Sequence, residues 1–134
     1  MIKKAAAVMA VVTMLVAGPV MNHVTAEAYS LDISKTLATS NVSKVKSNNS
    51  TAGQITINSG VLPGSLHVSA RLVRKNANGG IINCMNAVIF TSNGTQTGQY
   101  IRGDGIRGEK YYLAARIVDS SRFDSATINY NFEP

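Results

Sequence analysis

The chain has 134 residues, of which 45% are hydrophobic and 15% are charged, and its formal net charge is +6. This length favours one domain over two, and the single cysteine excludes an intramolecular disulfide. The positive charge favours approach to polyanions such as acidic wall polymers, anionic membrane surfaces or nucleic acid, without choosing among them. The alternative is that the scattered cations only solvate the surface.

The first 28 residues have the pattern of a removable export signal. Lys3 precedes an uncharged apolar run over residues 5–16, and Ala26 and Ala28 supply the small residues of a cleavage site. An uncleaved membrane anchor is the competing interpretation, but this run is too short, because roughly 20 apolar residues are needed to cross a bilayer. We therefore predict a cleaved signal over residues 1–28 and no transmembrane segment in the mature chain.

The remainder, residues 29–134, is predicted to be a single secreted β-domain. Residues 29–34 alternate between apolar and polar side chains and predict a first strand, and residues 54–58 predict a second. The segment 35–53 is rich in Ser, Thr, Asn and Lys, which predicts a loop or at most a weak edge strand.

Two stretches, 66–73 and 111–118, look like copies of one another and predict two core strands. Side chains of an extended chain alternate between its two faces. The predicted inner faces carry Leu66, Val68, Ala70 and Leu72 in the first stretch, and Tyr111, Leu113, Ala115 and Ile117 in the second. The opposite faces are polar and partly basic, which suits contact with water or with a ligand.

Turn-forming residues separate the other predicted strands. Residues 74–80 predict a hairpin loop, Asn93 and Gly94 a tight turn, and residues 103–108 a glycine-rich loop. The remaining predicted strands are 81–91, bulged near Asn83 or Asn86, then 96–102 and 125–132. About seven strands with no helical periodicity after the signal predict an all-β fold, an antiparallel β-sandwich. A small closed barrel is the alternative.

The general plan resembles small secreted all-β proteins of Gram-positive bacteria. The resemblance rests on the Ala/Val-rich signal, the Ser/Thr/Asn-rich β-domain, the late strand from Lys110 to Arg116 and the Asn131-Phe132-Glu133-Pro134 ending. It covers the whole chain at the level of organisation. It implies a bacterial, secreted β-domain and no catalytic residue.

Few side chains after residue 28 suit catalysis, so no enzymatic activity, metal site or cofactor is predicted. His67 is the sole histidine there, which excludes a multi-histidine zinc site. A catalytic pair with Cys84 would require both side chains in one cleft. His67 falls on an outward face, whereas Cys84 falls in an apolar strand, where a free cysteine acts as a small hydrophobe. The acidic residues fall in loops, at strand edges or at the terminus, which is typical of solvated or turn-capping carboxylates.

One predicted surface combines cations with an aromatic ring. If the stretches 66–73 and 111–118 share a sheet, one face presents His67, Arg71, Tyr112 and Arg116. Such side chains attract phosphate or carboxylate groups and stack against a sugar or a base. A wet sheet face with two solvated arginines is the alternative.

The glycine-rich loop is a secondary candidate for binding. Arg102 and Arg107 flank glycines whose backbone N–H groups are accessible to an anion. Arg102, Gly103 and Asp104 also spell the tripeptide that integrins read. Three-residue matches are frequent by chance, however, and glycine beside aspartate is also what a tight turn favours.

These features predict a secreted, non-enzymatic binding protein that is extracellular or loosely associated with the cell wall. Its expected partner is an anionic cell-wall polymer or a membrane surface, and no specific nucleic-acid binding is expected. A secreted antibacterial or toxin-like protein is the second hypothesis, because export, small size and positive charge permit it. A small hydrolase that uses the single histidine is the third.

Overall fold

The computed structural model describes residues 28–134 and contains nine β-strands in that range. They are β1 (Tyr29–Ser34), β2 (Ala38–Val45), β3 (Ala52–Ser59), β4 (Val68–Lys75), β5 (Ile81–Asn83), β6 (Val88–Phe90), β7 (Gly94–Gln99), β8 (Lys110–Ile117) and β9 (Ser125–Glu133). The predicted signal, residues 1–28, lies outside the described residues except for Ala28. Within residues 28–134, no helix is long and apolar enough to cross a membrane.

The strands form two antiparallel sheets that pack face to face around the core. One sheet has the order β1-β9-β3-β7, and the other has the order β2-β8-β4-β5, with β6 also paired to β4. The predicted β-sandwich is therefore confirmed. The closed barrel is wrong, because among the described strands each sheet ends in edge strands.

The two similar stretches become β4 and β8, which pair directly at the centre of the second sheet. Ala70 lies opposite Ala115, and Leu72 lies opposite Leu113. All four are buried between the sheets, as the alternation predicted. The opposite face is less exposed to solvent than expected, because Val73 is fully buried there. This burial indicates that longer neighbouring side chains cover Val73.

The polar segment 35–53 contains the eight-residue strand β2. β2 pairs with β8 at the edge of the sheet, and its register shifts between Thr39 and Ser43. At this irregularity the Ser40 hydroxyl accepts a hydrogen bond from Val42 N and donates to Val42 O. The loop prediction is thus wrong and the edge-strand alternative is confirmed, because the segment gains its order from pairing with β8.

The segment 81–91 forms two short strands rather than one long strand. β5 and β6 both pair with β4, and Cys84 between them is fully buried. Near Cys84 the backbone forms hydrogen bonds with the end of β7 and with the residues that follow β7. Asn86 N donates to Gln99 O (3.0 Å), and Ile101 N donates to Cys84 O (2.8 Å). The interruption joins the edges of the two sheets at this end of the sandwich.

The two predicted turns differ in what they connect. Residues 76–80 close the β4–β5 hairpin, where Asn76 N donates to Gly80 O and Gly79 N to Asn76 O. Asn93 lies between β6 and β7, which belong to different sheets. The second turn therefore carries the chain from one layer of the sandwich to the other rather than forming a hairpin.

Candidate anion-binding face

Basic and acidic residues divide between the two sheets. The strands of the β2-β8-β4-β5 sheet, with β6, contain no Asp or Glu and carry Lys44, Arg71, Arg74, Lys75, Lys110 and Arg116. The strands of the other sheet contain no Lys or Arg, and their acidic residues are Asp32 and Glu133. We call the first the basic sheet and the second the acidic sheet.

The outward side of the basic sheet brings together the four residues predicted to bind. Arg71 lies opposite Ala114 in the β4–β8 register, so it is a diagonal neighbour of Tyr112 and Arg116 on the same face. His67 lies further along the same side, where Val118 N donates to His67 O (3.0 Å). The two stretches therefore share one sheet, as the predicted surface requires.

Within the described part of the chain, the two arginines of this surface differ in their hydrogen bonds and ion pairs. The Arg116 guanidinium donates to Asp119 Oδ1 (3.1 Å) and to Ile117 O (3.3 Å). The Arg71 guanidinium makes no hydrogen bond or ion pair within residues 28–134. Arg71 is therefore the predicted cation that is freest to meet a ligand.

The outward side also presents two cations that the sequence interpretation did not include. Lys75, four residues after Arg71, and Lys110, two residues before Tyr112, occupy the same face as these two residues. The Lys75 ammonium lies 4.2 Å from the centroid of the Tyr112 ring, a cation–π contact. The sequence pattern that could have identified both lysines is the same alternation, continued to the last residue of β4 and to the first residue of β8.

A cavity of about 260 Å³ lies where these strands meet the glycine-rich loop. It is lined by Arg74, Lys75, Gly108, Glu109, Lys110 and Tyr112. We define the basic face as the surface formed by Arg71, Lys75, Lys110, Tyr112 and Arg116. The cavity opens at the end of this face, where an anion would meet two lysines and an aromatic ring beside the Glu109 carboxylate.

Asp104 forms a nearly buried ion pair beside this cavity. Its Oδ2 accepts from Arg74 Nη2 (2.9 Å), and its Oδ1 accepts from Arg74 Nε (3.2 Å) and from Tyr111 Oη (2.7 Å). Burial alone raises the pKa of a carboxyl, but these hydrogen bonds outweigh burial and lower the pKa of Asp104 to about 2. Asp104 is therefore not solvated, contrary to one part of the prediction, whereas its Oδ1 does bond to the loop backbone, accepting from Gly105 N (2.9 Å).

Three basic side chains are engaged inside the protein rather than offered to a ligand. Besides Arg74, Lys44 donates to Asn131 Oδ1 (2.6 Å) and lies 3.3 Å from Glu133 Oε2. Lys46, which follows β2, is only 1% exposed, donates to Asn48 Oδ1 (2.8 Å) and has its pKa lowered by burial. Neither lysine is the exposed loop cation that the segment 35–53 suggested.

The secondary candidates Arg102 and Arg107 are exposed and make no ion pair within the described residues. The carboxylate of Asp104, between them in the chain, is turned inward to Arg74. The integrin-type tripeptide is therefore not presented as a unit. The two arginines remain available for an anionic partner.

Cys84 and His67 lie far apart in the described structure. Because Asn83 lies opposite Val73, Cys84 lies beside Leu72, five residues along β4 from His67. Five residues of a strand span about 17 Å. The Cys84 thiol is fully buried, and burial raises its pKa to about 11. These positions do not form a catalytic pair.

We expect the thiol of Cys84 to be unreactive in the folded protein. A thiol reacts as the thiolate, which burial and the raised pKa suppress. Treatment with 5,5′-dithiobis(2-nitrobenzoate) at pH 8 should release about one equivalent of the coloured thiolate only after denaturant is added. Rapid labelling without denaturant would contradict the buried position.

Within residues 28–134 no group of three or more His, Cys, Asp or Glu side chains is arranged to hold a metal ion. No family model matches the chain, and neither a curated protein nor a solved structure matches it. The resemblance to small secreted Gram-positive proteins stays a prediction.

Proposed function

We propose that the protein is an exported, non-enzymatic binding domain that attaches to an anionic polymer of the cell envelope through the basic face. The observation that carries this proposal is the division of charge between the sheets. Folding a chain with scattered basic residues would leave cations on both sheets if they served only solubility. Their concentration on one sheet favours an extended, negatively charged partner.

The spacing of the basic face supports a polymer rather than a small ion. Its cations run from Arg116 through Arg71 to Lys75 and Lys110, along the length of two paired strands. Neighbouring side chains on one face of a strand are about 7 Å apart, because each residue advances the chain by about 3.3 Å. A row of phosphates or carboxylates along a polymer can contact several of these cations at once.

Tyr112 supports a polymer that also contains sugar or another flat group. Its ring is half-buried on the basic face, next to Lys75 at 4.2 Å. A ring held in place by the sheet and a cation offers one face for stacking at little entropic cost. The cations then bind the charges of the polymer, and the ring contacts the uncharged units between them.

Retention on phosphocellulose at low salt tests this function. We expect the double variant Arg71→Ala and Arg116→Ala to bind at least tenfold more weakly than the wild type. A hydrogen bond to a charged group contributes about 1.5–3 kcal/mol, and two are removed. Two quantities are measured for each protein: the salt concentration at which it elutes from the resin, and its dissociation constant for soluble polyphosphate.

The matched control is the double variant Lys35→Ala and Arg122→Ala, which removes the same charge from positions outside both the basic face and the loop 101–108. We expect this control to retain most of the binding to polyphosphate. Equal losses from the two double variants would show that only net charge matters. The basic face would then be rejected as the binding site.

A further inference from the structure

The loop that joins β7 to β8 contains the same three-residue turn twice. Residues 101–108 read Ile-Arg-Gly-Asp-Gly-Ile-Arg-Gly. Asp104 N donates to Ile101 O (2.9 Å) and Glu109 N donates to Ile106 O (3.2 Å), so each copy is a hydrogen-bonded β-turn. The third residues, Gly103 and Gly108, have φ values of 85° and 92°, as type II turns require.

Each turn exposes one isoleucine and one arginine. Ile101 is 41% exposed and Ile106 is 44% exposed, although a large aliphatic side chain gains stability from burial. The adjacent residues, Arg102 and Arg107, are exposed and make no ion pair within the described residues. The loop therefore presents two partly exposed apolar side chains and two positive charges that make no ion pair within the described residues.

Hydrogen bonds to the body of the protein hold this arrangement in place. Asp104 folds back onto Arg74, and Ile106 N donates to Tyr111 Oη (2.8 Å). At the end of the loop, Gly108 N donates to Lys46 O (2.8 Å). The acidic residue between the two turns, Asp104, is thus neutralised inside. Glu109, which ends the second turn, is half-exposed and lies 4.0 Å from Arg74, so residues 101–108 present only basic and apolar side chains outward.

The surroundings of the loop extend the same character. Val45, at the end of β2, is exposed and lies opposite Lys110, the first residue of β8. Ile81, at the start of β5, is also exposed and lies opposite Lys75. Exposed aliphatic side chains and lysines therefore alternate across this end of the sandwich.

We propose that the loop 101–108 docks this end of the sandwich onto an anionic lipid bilayer. The two isoleucines enter the boundary between headgroups and acyl chains, and Arg102 and Arg107 pair with lipid phosphates. Weak apolar insertion and weak electrostatic attraction each give marginal binding alone and stable binding together. The occupant is a bilayer because it alone offers an apolar layer directly beneath a layer of negative charge.

This proposal concerns the loop 101–108 rather than the strands of the basic face, and it does not depend on the polymer that the face binds. The loop adjoins the end of the basic face at the cavity, where Gly108 lies with Lys75 and Lys110. The variants of the two sites change different residues, so each proposal is tested on its own. A polymer along the side and a membrane at the end would place the protein between wall and bilayer.

Cosedimentation with lipid vesicles tests the docking loop. Both sheets and the core lie within residues 29–134, so we use the chain that starts at Tyr29. We expect it to bind vesicles of phosphatidylglycerol and phosphatidylcholine and to bind pure phosphatidylcholine at least tenfold more weakly. Each cation near an anionic leaflet contributes about fivefold, so Arg102→Gln with Arg107→Gln should weaken binding by roughly 25-fold.

The apolar part of the proposal has its own variant and control. We expect Ile101→Ser with Ile106→Ser to weaken vesicle binding at least tenfold. The control Leu62→Ser with Phe123→Ser removes exposed apolar side chains elsewhere and should bind as the wild type does. All these side chains are exposed, and thermal unfolding curves should confirm that each variant folds.

A fluorescence measurement reports insertion directly. The chain contains no tryptophan, so Ile106→Trp introduces a unique signal. Its emission should shift to shorter wavelength with anionic vesicles, and that of Phe123→Trp should not. Unchanged emission of the first variant, or wild-type vesicle binding by the isoleucine double variant, would overturn the proposal. So would loss of vesicle binding in Arg71→Ala with Arg116→Ala while the loop variants bind normally.

Discussion

Replacing Ala115 with Asp is expected to leave the chain unfolded at room temperature. Ala115 is fully buried in β8, between Ala70 of β4 and Ala38 of β2. An unpaired carboxylate at this position, or the proton needed to neutralise it, costs several kcal/mol. The whole stability of a domain of this size is about 5–15 kcal/mol. Far-ultraviolet circular dichroism and a thermal unfolding curve measure the effect.

Two further variants show whether the assigned faces are correct. Ile128→Asp places a charge at a fully buried position of β9 in the opposite sheet and should be equally disruptive. Arg116 follows Ala115 in β8, but its side chain points outward and pairs with the exposed Asp119. Arg116→Ala should therefore lower the free energy of unfolding by less than about 1 kcal/mol. An Ile128→Asp protein that melts within a few degrees of wild type would show that the inner and outer faces are inverted.

The second large effect is expected from Asp104→Asn. The neutral amide keeps the shape of the side chain but removes the close charge partner of Arg74, which keeps only the exposed Glu109 carboxylate at 4.0 Å, at a place where the Asp104 side chain is only 10% exposed. Removing one partner of a largely buried ion pair costs about 3 kcal/mol. Urea unfolding monitored by circular dichroism should show that loss. The matched control, Glu109→Gln, removes the exposed carboxylate that lies 4.0 Å from Arg74 and should cost under about 0.5 kcal/mol.

The same carboxylate makes stability depend on pH in a defined window. The pKa of Asp104 is about 2 in the folded protein and near 3.8 without the fold. A group whose pKa is lowered by folding stabilises the protein above the higher value and loses that contribution as pH falls through the lower one. About 2 kcal/mol should therefore disappear between pH 4 and pH 2 in wild type. Asp104→Asn should lack that part of the acid-induced loss, and an unchanged pH profile would contradict the ion pair.

Alternation of apolar residues was sufficient to predict the inner faces of the central strands. In β8 and β9 every second residue is apolar, and Leu113, Ala115, Ile128 and Phe132 are buried as expected. The pattern is reliable there because each strand has one face on the core and neighbours on both sides. That β4 and β8 share a sheet was only a condition of the predicted surface, and their direct pairing is shown by the structure.

The edge strand was predicted only as the alternative to a loop, and the ion pair of Asp104 with Arg74 was not predicted, for physical reasons. β2 has weak alternation, and its order comes from hydrogen bonds to β8 rather than from its own pattern. Asp104 meets Arg74 because a glycine-rich loop folds back over the end of β4, a contact between residues 30 positions apart. Gly103 and Gly108 predicted a loop, but they did not predict that the loop folds back over the end of β4.

The basic face was partly predicted, and its extent depended on where the strands end. Arg71, Tyr112 and Arg116 followed from alternation within the two similar stretches. Lys75 was missed because β4 continues two residues past the predicted end at Val73. Strand ends are set by pairing with neighbours, here Lys75 with Ile81, which a single sequence does not display.

Mapping amide chemical shifts during titration with soluble polyphosphate tests most directly whether the basic face binds anionic polymers. The largest shifts should fall on β4 and β8, at Arg71, Lys110, Tyr112 and Arg116, with little change on the acidic sheet. Shifts that are spread evenly over the chain, or that are largest on β3, β7 or β9, would contradict binding by the basic face.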